Sequence, residues 1–151
     1  MQRLMTAFLV LLTLLAGQVH AQTCNGAIPA STPTSRFVIN GDGTVTDSDT
    51  GLIWKQCSEG QTTDGAGACA GTAGPYTWPQ ALQQAQTLNT AGGYAGHTDW
   101  RVPNIKELDS IVERQCYSPA INETVFPDTP ASWFWSASSS AGNSGYAWYV
   151  N

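Results

Sequence analysis

Residues 36–54 read RFVINGDGTVTDSDTGLIW, and they predict three short strands joined by two tight turns. The β-prone runs are 36–39, 44–47 and 52–54, and the turn sequences between them are NGDG (40–43) and SDTG (48–51). Gly, Asn and Asp at such positions are typical of hairpin turns. NGDG lacks the longer acidic spacing and the terminal Glu of a calcium loop, so we interpret it as a turn and predict no metal site.

Two helices are predicted in the middle of the chain. The first starts at Thr77, with Gln80 at the capping-box position, and ends before 92–93. Its predicted buried stripe is Ala81, Leu82, Ala85 and Leu88. The second starts at Asn104, with Glu107 three residues on, and its stripe is Ile105, Leu108, Ile111 and Val112. Asp109 and Glu113, four residues apart, are expected on a solvated face of that helix.

The C-terminal region is rich in aromatic residues and predicts two strands, 132–137 and 146–150, joined by the polar loop SSSAGNSG. Strand alternation places about half of the aromatic residues inward. We favour Trp135 and Trp148 as core residues and Tyr146 and Tyr149 as exposed ones. The order of elements is therefore strands, helix, helix, strands, which is typical of an α+β domain.

The N-terminal 21 residues predict a secretory signal peptide. Arg3 precedes an apolar run that ends near Ala16, and Val19-His20-Ala21 is a small-x-small cleavage site. The run has about 13 residues, whereas a membrane-spanning helix needs about 20. We expect cleavage after Ala21, an extended leader over 22–35, a domain over 36–151, and a secreted, periplasmic or cell-surface location.

The charge balance argues against two classes of partner. The whole chain has 6 basic and 11 acidic side chains, and removal of Arg3 with the signal peptide changes the net charge from −5 to −6. No basic cluster occurs along the sequence. Nucleic acids and anionic membranes are bound chiefly through Lys and Arg, so neither is predicted as a partner, and no membrane insertion is expected.

Four cysteines in an exported chain predict two disulfides. Three pairings are possible. We favour Cys57 with Cys69, because the loop between them is rich in Gly, Thr and Gln, and this choice leaves Cys24 for Cys116. A zinc site is disfavoured because there is no C-x-x-C pair, and a catalytic thiol is disfavoured because no cysteine would be left over.

Three phrases in fixed order carry a family resemblance. They are N-G-D-G-T-V-T-D-x-x-T-G-L-x-W at 40–54, D-W-R-x-P-N-x-x-E-L at 99–108 and F-W-S-x-S at 134–138. Together they resemble the bacterial Lcl C-terminal domain family over about residues 36–151. The resemblance implies a C-type-lectin-like fold, in which two helices pack on a small twisted antiparallel sheet, here stapled by disulfides.

The resemblance implies export and adhesion rather than catalysis. The adhesin for which the family is named is associated with sulfated glycosaminoglycans, but this acidic chain lacks the basic stripe that a polyanion requires. Members of the family usually continue with a further hairpin and a final strand. The chain is therefore expected to be either a C-terminally truncated fragment or a domain with an incomplete sheet.

We predict a binding module that recognises a glycan or a protein surface through its C-terminal strands and loop. Aromatic rings stack on sugars and anchor protein interfaces. The candidate ligand-binding residues are Trp133, Ser139, Ser140, Asn143, Ser144, Tyr146 and Tyr149. One alternative is a structural domain that forms homo-oligomers in a surface assembly.

A second alternative is an enzyme related to the sulfatase-modifying proteins, which share the lectin-like fold. That chemistry needs reactive cysteines or a metal. His97, Asp99 and Arg101 lie close together, but no G-x-S-x-G phrase accompanies them. No catalytic residue and no cofactor is therefore predicted.

Overall fold

The structure, a computed structural model, describes residues 22–64 and 67–151, and of 143–145 only the backbone. The predicted signal peptide lies outside these residues. The strands are β1 (Thr23–Cys24), β2 (Phe37–Ile39), β3 (Thr44–Asp47), β4 (Ile53–Lys55), β5 (Thr62–Thr63), β6 (Cys69–Ala70), β7 (Cys116–Tyr117), β8 (Phe134–Ser140) and β9 (Asn143–Val150). The helices are α1 (Trp78–Thr90) and α2 (Ile105–Ser110), and Thr34–Arg36 forms a 3₁₀ turn. None of the described helices is long and apolar enough to cross a bilayer.

The strands of the described residues form four small antiparallel sheets, whereas the family resemblance implies a single sheet. β2, β3 and β4 form a three-stranded meander, and the two-stranded pairs are β1–β7, β5–β6 and β8–β9. With two helices, this is the mixed α/β domain that the order of elements predicts.

The NGDG stretch forms the turn predicted between β2 and β3. Asp42 Oδ1 accepts hydrogen bonds from the Thr44 backbone N–H at 3.0 Å and from the Thr44 hydroxyl at 2.6 Å. Gly41 and Gly43 have φ angles of 80° and 84°. A Cβ on Gly43 would lie 2.0 Å from the Tyr94 hydroxyl oxygen, so this position requires glycine for both conformation and space.

The hydrophobic core lies between the meander, α2 and the segment before β8. Its buried members are Phe37, Val45, Leu108, Ile111, Val125 and Phe126, and the partly buried Trp54, Ile121, Phe134 and Val150 pack against them. The rings of Phe37 and Phe126 meet edge to face at 5.5 Å. Helix α2 therefore supplies Leu108 to the core, and Ile111 directly after it supplies a second residue, although the helix is only six residues long.

Helix α1 contributes nothing to this core. None of its 13 residues is buried, and the predicted stripe of Ala81, Leu82, Ala85 and Leu88 is only half-buried. The prediction of a buried stripe is wrong because the inner face of α1 borders an open cleft. Gln80 Oε1 accepts hydrogen bonds from the N–H and the hydroxyl of Thr77, as the capping box predicts.

Glu113 does not lie on a solvated helix face, because α2 ends at Ser110 and Glu113 is 3% exposed. Its carboxylate accepts the backbone N–H groups of Ser31, Thr32 and Gln115, each at 2.9 Å, and the hydroxyls of Ser31 and Thr32. Burial acts to raise the pKa of Glu113, but these hydrogen bonds outweigh it and lower the pKa to about 2. The buried carboxylate thus ties the leader to the domain.

A second buried carboxylate holds the meander together. Asp47 is fully buried and accepts two hydrogen bonds from the Arg36 guanidinium, at 2.7 and 2.5 Å. The Thr50 hydroxyl and the Asp49 backbone N–H donate to the same carboxylate. The hydrogen bonds from Arg36 lower the pKa of Asp47 to about 2, against the opposing effect of burial. The acceptor positions of the Asp47 carboxylate are therefore all occupied, by donors from Arg36, Asp49 and Thr50.

The disulfides have the pairing favoured from the sequence. Cys57–Cys69 is buried and closes the loop that contains β5. Cys24–Cys116 joins directly opposed residues of β1 and β7 and lies nearer the surface. The Asn122 amide nitrogen also donates to the leader, at Thr32 O and Thr34 Oγ1. The leader is consequently part of the folded structure.

The C-terminal hairpin is longer than predicted. β8 ends at Ser140 and β9 begins at Asn143, so the loop between them has two residues, whereas eight were predicted. The prediction that Trp148 is a core residue is wrong, since it is 55% exposed. The pairing register shifts between Trp135 and Ser139, which breaks the alternation on which that prediction depended.

Candidate functional site

Two aromatic rings lie stacked at the base of the hairpin. The Trp133 and Tyr149 rings are 4.7 Å apart and 8° from parallel, and the two residues are 62% and 45% exposed. Trp135 lies opposite Tyr149 in the ladder and meets it edge to face at 6.1 Å. The Trp135 indole N–H donates to Tyr76 O at 2.8 Å, which fixes the ring that supports the stack. The stack is therefore a preformed, flat and exposed apolar surface.

The other exposed aromatic residues of the hairpin form a separate surface. Tyr146 and Trp148 are two residues apart on β9, which places them on one face of the strand, and they are 68% and 55% exposed. Tyr149 follows Trp148 and therefore points to the opposite face. The candidate aromatic residues thus divide into the Trp133–Tyr149 stack and a Tyr146–Trp148 face.

The polar candidates lie at the far end of the hairpin. Ser139 pairs with Ala147 and is exposed, and Ser140 pairs with Asn143 and is half-buried. The side chains of Asn143 and Ser144 lie outside the described part of the structure. The five candidates whose side chains the structure describes therefore do not converge on one site.

A cleft opens beside the stack, and the sequence did not predict it. It has a volume of about 1130 Å³ and lies between the inner face of α1, β4, the segment 97–103 and the start of β8. Its lining includes the rings of Trp54, Trp100, Trp133 and Trp135. The signal in the sequence was the apolar stripe of α1, which we assigned to the core.

Both cations of the cleft are paired with carboxylates. Arg101 donates two parallel hydrogen bonds to Glu107, each at 2.7 Å, and these lower the pKa of Glu107 to about 2. Lys55 forms an ion pair with Glu59 and lies 4.8 Å from the centre of the Tyr94 ring.

Asp99 also lines the cleft. The arginine next to it pairs with Glu107, and the Asp99 carboxylate takes part in no hydrogen bond or ion pair with the part of the chain that the structure describes. Arg101 therefore has a structural role through Glu107, whereas Asp99 has none among the described contacts.

The family phrases chiefly build the scaffold around the cleft. Asn104 Oδ1 accepts the N–H groups of Lys106 and Glu107, and Glu107 accepts the N–H of Asn104, which completes the predicted capping box. In the third phrase, the buried Ser136 hydroxyl donates to Trp148 O, and Ser138 Oγ accepts the N–H of Ile105. The phrases therefore account for the fold and do not by themselves identify a ligand.

All four cysteines of the chain form disulfides. Across 22–64 and 67–151, no group of three or more His, Cys, Asp or Glu residues is placed to hold a metal ion. The His97 ring meets the Trp100 ring edge to face at 5.9 Å.

Comparison with known proteins gives one match. Residues 43–151, which are more than half of the chain, match the family model described as the Lcl C-terminal domain. The matched range contains the second and third phrases and residues 43–54 of the first. No curated protein and no solved structure matches the chain.

Proposed function

Since the chain belongs to the Lcl C-terminal domain family, we propose that it is an exported binding module that recognises a glycan or a protein surface through its β8–β9 hairpin. The proposal includes a C-type-lectin-like architecture. In support of it, the described residues form two helices and small antiparallel sheets, the core lies between the β2–β4 meander and α2, and two disulfides cross-link the chain. Disulfides of this kind persist in oxidising compartments, which supports export.

The Trp133–Tyr149 stack is the observation that carries the proposal. A half-exposed tyrosine and a more exposed tryptophan are held nearly parallel, with Trp135 behind them. Aromatic surface of this kind is costly to leave in water and marks interaction sites on small domains. Because the rings are already positioned, a ligand that stacks on Trp133 loses little side-chain entropy at the site.

Binding to immobilised ligands tests this function. The wild-type protein is applied to an array of oligosaccharides and to an array of extracellular matrix proteins, beside Tyr149→Ala and Tyr117→Ala. Tyr117 is a matched control, because it is 62% exposed but lies on β7. We expect Tyr149→Ala to weaken binding at least tenfold and Tyr117→Ala to leave it unchanged. Equal binding by all three proteins, or no binding to either array, would contradict the proposal.

The Tyr146–Trp148 face favours assembly as a second candidate function. Two large aromatic residues, 68% and 55% exposed on one strand face, match the aromatic enrichment of subunit interfaces. Sedimentation velocity over a hundredfold range of concentration tests this. A concentration-dependent sedimentation coefficient that Trp148→Ala abolishes would support assembly, and a constant monomer value would refute it.

A further inference from the structure

We infer that the binding site extends from the Trp133–Tyr149 stack into the cleft beside α1, and that its ligand is an uncharged oligosaccharide chain. The inference rests on the proposed function and narrows its ligand to one chemical class.

The stack and the cleft are continuous. Trp133 and Trp135 line the cleft, and Tyr149 lies against Trp133 from outside it. At about 1130 Å³, the cleft is slightly larger than the range of about 300–1,000 Å³ that ligand pockets usually occupy. A ligand on the exposed Trp133 ring therefore has space to continue along the inner face of α1.

The charges of the cleft favour an uncharged ligand. Its lining contains the cations Lys55 and Arg101 and three carboxylates, a net charge of −1 with His97 neutral. Each cation is already paired with a carboxylate, so a sulfate or an acid group would have to compete with an existing ion pair. Desolvating an anionic sugar beside this surface would be unfavourable, because no unpaired cation offsets the cost.

The remaining polar groups suit sugar hydroxyls. The Asp99 carboxylate has all its acceptor positions open within the described structure, and hydrogen bonds to a charged acceptor are stronger than neutral ones. On α1, the Gln84 amide nitrogen donates to Glu59 at 3.1 Å, so the amide of Gln80 is the more accessible one. Along an oligosaccharide, the hydroxyls of one pyranose can donate to Asp99 while the apolar face of another covers Trp133.

The flatness of the exposed surface favours a glycan over a protein segment. Protein anchors draw most of their energy from side chains that enter well-packed pockets. The most exposed apolar group at this cleft is the Trp133 ring, which is flat and held parallel to Tyr149. A flat ring matches the apolar face of a pyranose.

Isothermal titration with defined hexasaccharides tests the inference. The ligands are the neutral cellohexaose, chitohexaose, maltohexaose and mannohexaose, and a sulfated heparin hexasaccharide. The proteins are wild type, Asp99→Asn, Tyr149→Ala and the matched control Asp109→Asn, whose exposed carboxylate pairs with Arg114 away from the cleft. Thermal unfolding of each variant checks its fold.

We expect at least one neutral hexasaccharide to bind and heparin not to bind. Asp99→Asn should weaken the affinity for the neutral ligand at least tenfold, and the affinity of Asp109→Asn should stay within twofold of that of wild type. Binding of heparin alone would overturn the inference. The inference would also be overturned if Tyr149→Ala abolishes binding of the neutral ligand and Asp99→Asn leaves it unchanged. That result would confine the ligand to the Trp133–Tyr149 stack, and the proposed function would still stand.

A negative titration is also decisive. If no hexasaccharide binds while the matrix-protein array is positive and sensitive to Tyr149→Ala, the glycan inference falls and the proposed function stands on a protein ligand. If both arrays and all titrations are negative, both fall.

Discussion

The short helix α2 and the long helix α1 belong to two regions of the molecule that are packed differently. Leu108 of α2, with Ile111 just after it, lies in the core, whereas no residue of α1 is buried. α1 is held mainly by hydrogen bonds at its ends, such as Trp78 Nε1 to Ser136 O at 3.0 Å and Asn89 with both backbone groups of Trp100. Helix length is therefore no guide to how much a helix stabilises this fold.

The same contrast holds for the polar groups. On the α2 side, the buried carboxylates of Asp47 and Glu113 have all their acceptor positions occupied. On the α1 side, apolar rings are exposed and Asp99 has no partner in the described residues. We expect the α2 side, the closed region, to supply most of the stability. The α1 side, the open region, leaves surface free for a ligand, as the proposed function requires.

The largest effect is expected in the closed region, at the Arg36–Asp47 pair. Asp47→Ala removes the buried carboxylate that pairs with the guanidinium of Arg36, whose side chain is 10% exposed, and leaves only Ser110 O and the exposed Asp49 carboxylate as partners. Breaking a buried pair in this way costs about 3–5 kcal/mol of unfolding free energy. Urea unfolding measures it, with Asp49→Ala as control, since the Asp49 side chain is 70% exposed. A loss below about 1 kcal/mol would show that the pair is not a main support of the meander.

Truncating one leucine in each helix tests the comparison directly. Leu108→Ala removes a core side chain that is 8% exposed, and we expect a loss of about 2–4 kcal/mol. Leu88→Ala removes a half-buried side chain at the cleft, and we expect a loss below about 1 kcal/mol. Both are measured by urea unfolding. Equal losses would mean that the inner face of α1 is packed as tightly as the core.

A smaller effect is expected at Glu113, and it depends on pH. Its pKa in the folded protein is about 2, below the value of about 4.3 for an unfolded chain. The carboxylate therefore contributes stability that is complete above the unfolded pKa and is lost as the pH falls toward 2. Glu113→Gln should cost about 1–3 kcal/mol at pH 7, because the buried donors of Ser31 and Thr32 lose a charged acceptor.

Urea unfolding at several pH values between 7 and 2 measures this contribution. Wild type should lose stability across the lower part of this range, and Glu113→Gln should lose less, with Asp47 and Glu107 accounting for the remainder. Asp109→Asn is the control, because its side chain is 52% exposed. Identical pH profiles for wild type and Glu113→Gln would contradict the assigned role.

Features set by local interactions were predictable from sequence. The NGDG turn, the Thr77–Gln80 cap and the Asn104–Glu107 cap depend on side chains within three residues of the backbone groups they bind. The disulfide pairing and the family also followed from the sequence. The exposure of Tyr146 and Tyr149 is also as predicted.

Three predictions failed for one reason. Glu113, Trp148 and the stripe of α1 were assigned from periodicity, which states which side chains share a face but not what lies opposite that face. Glu113 is buried because the leader, more than 80 positions away in sequence, folds over it. Trp148 is exposed because the hairpin extends past the core with a shifted register.

The sequence by itself determined the tight turns, the helix caps and the family and favoured the observed cysteine pairing, because turns and caps are governed by neighbouring residues. Only the tertiary structure decided which apolar faces are buried. It brings Trp133 against Tyr149 and opens a cleft under α1. Burial depends on the apposition of distant segments, so the candidate site became visible only when those segments were placed together.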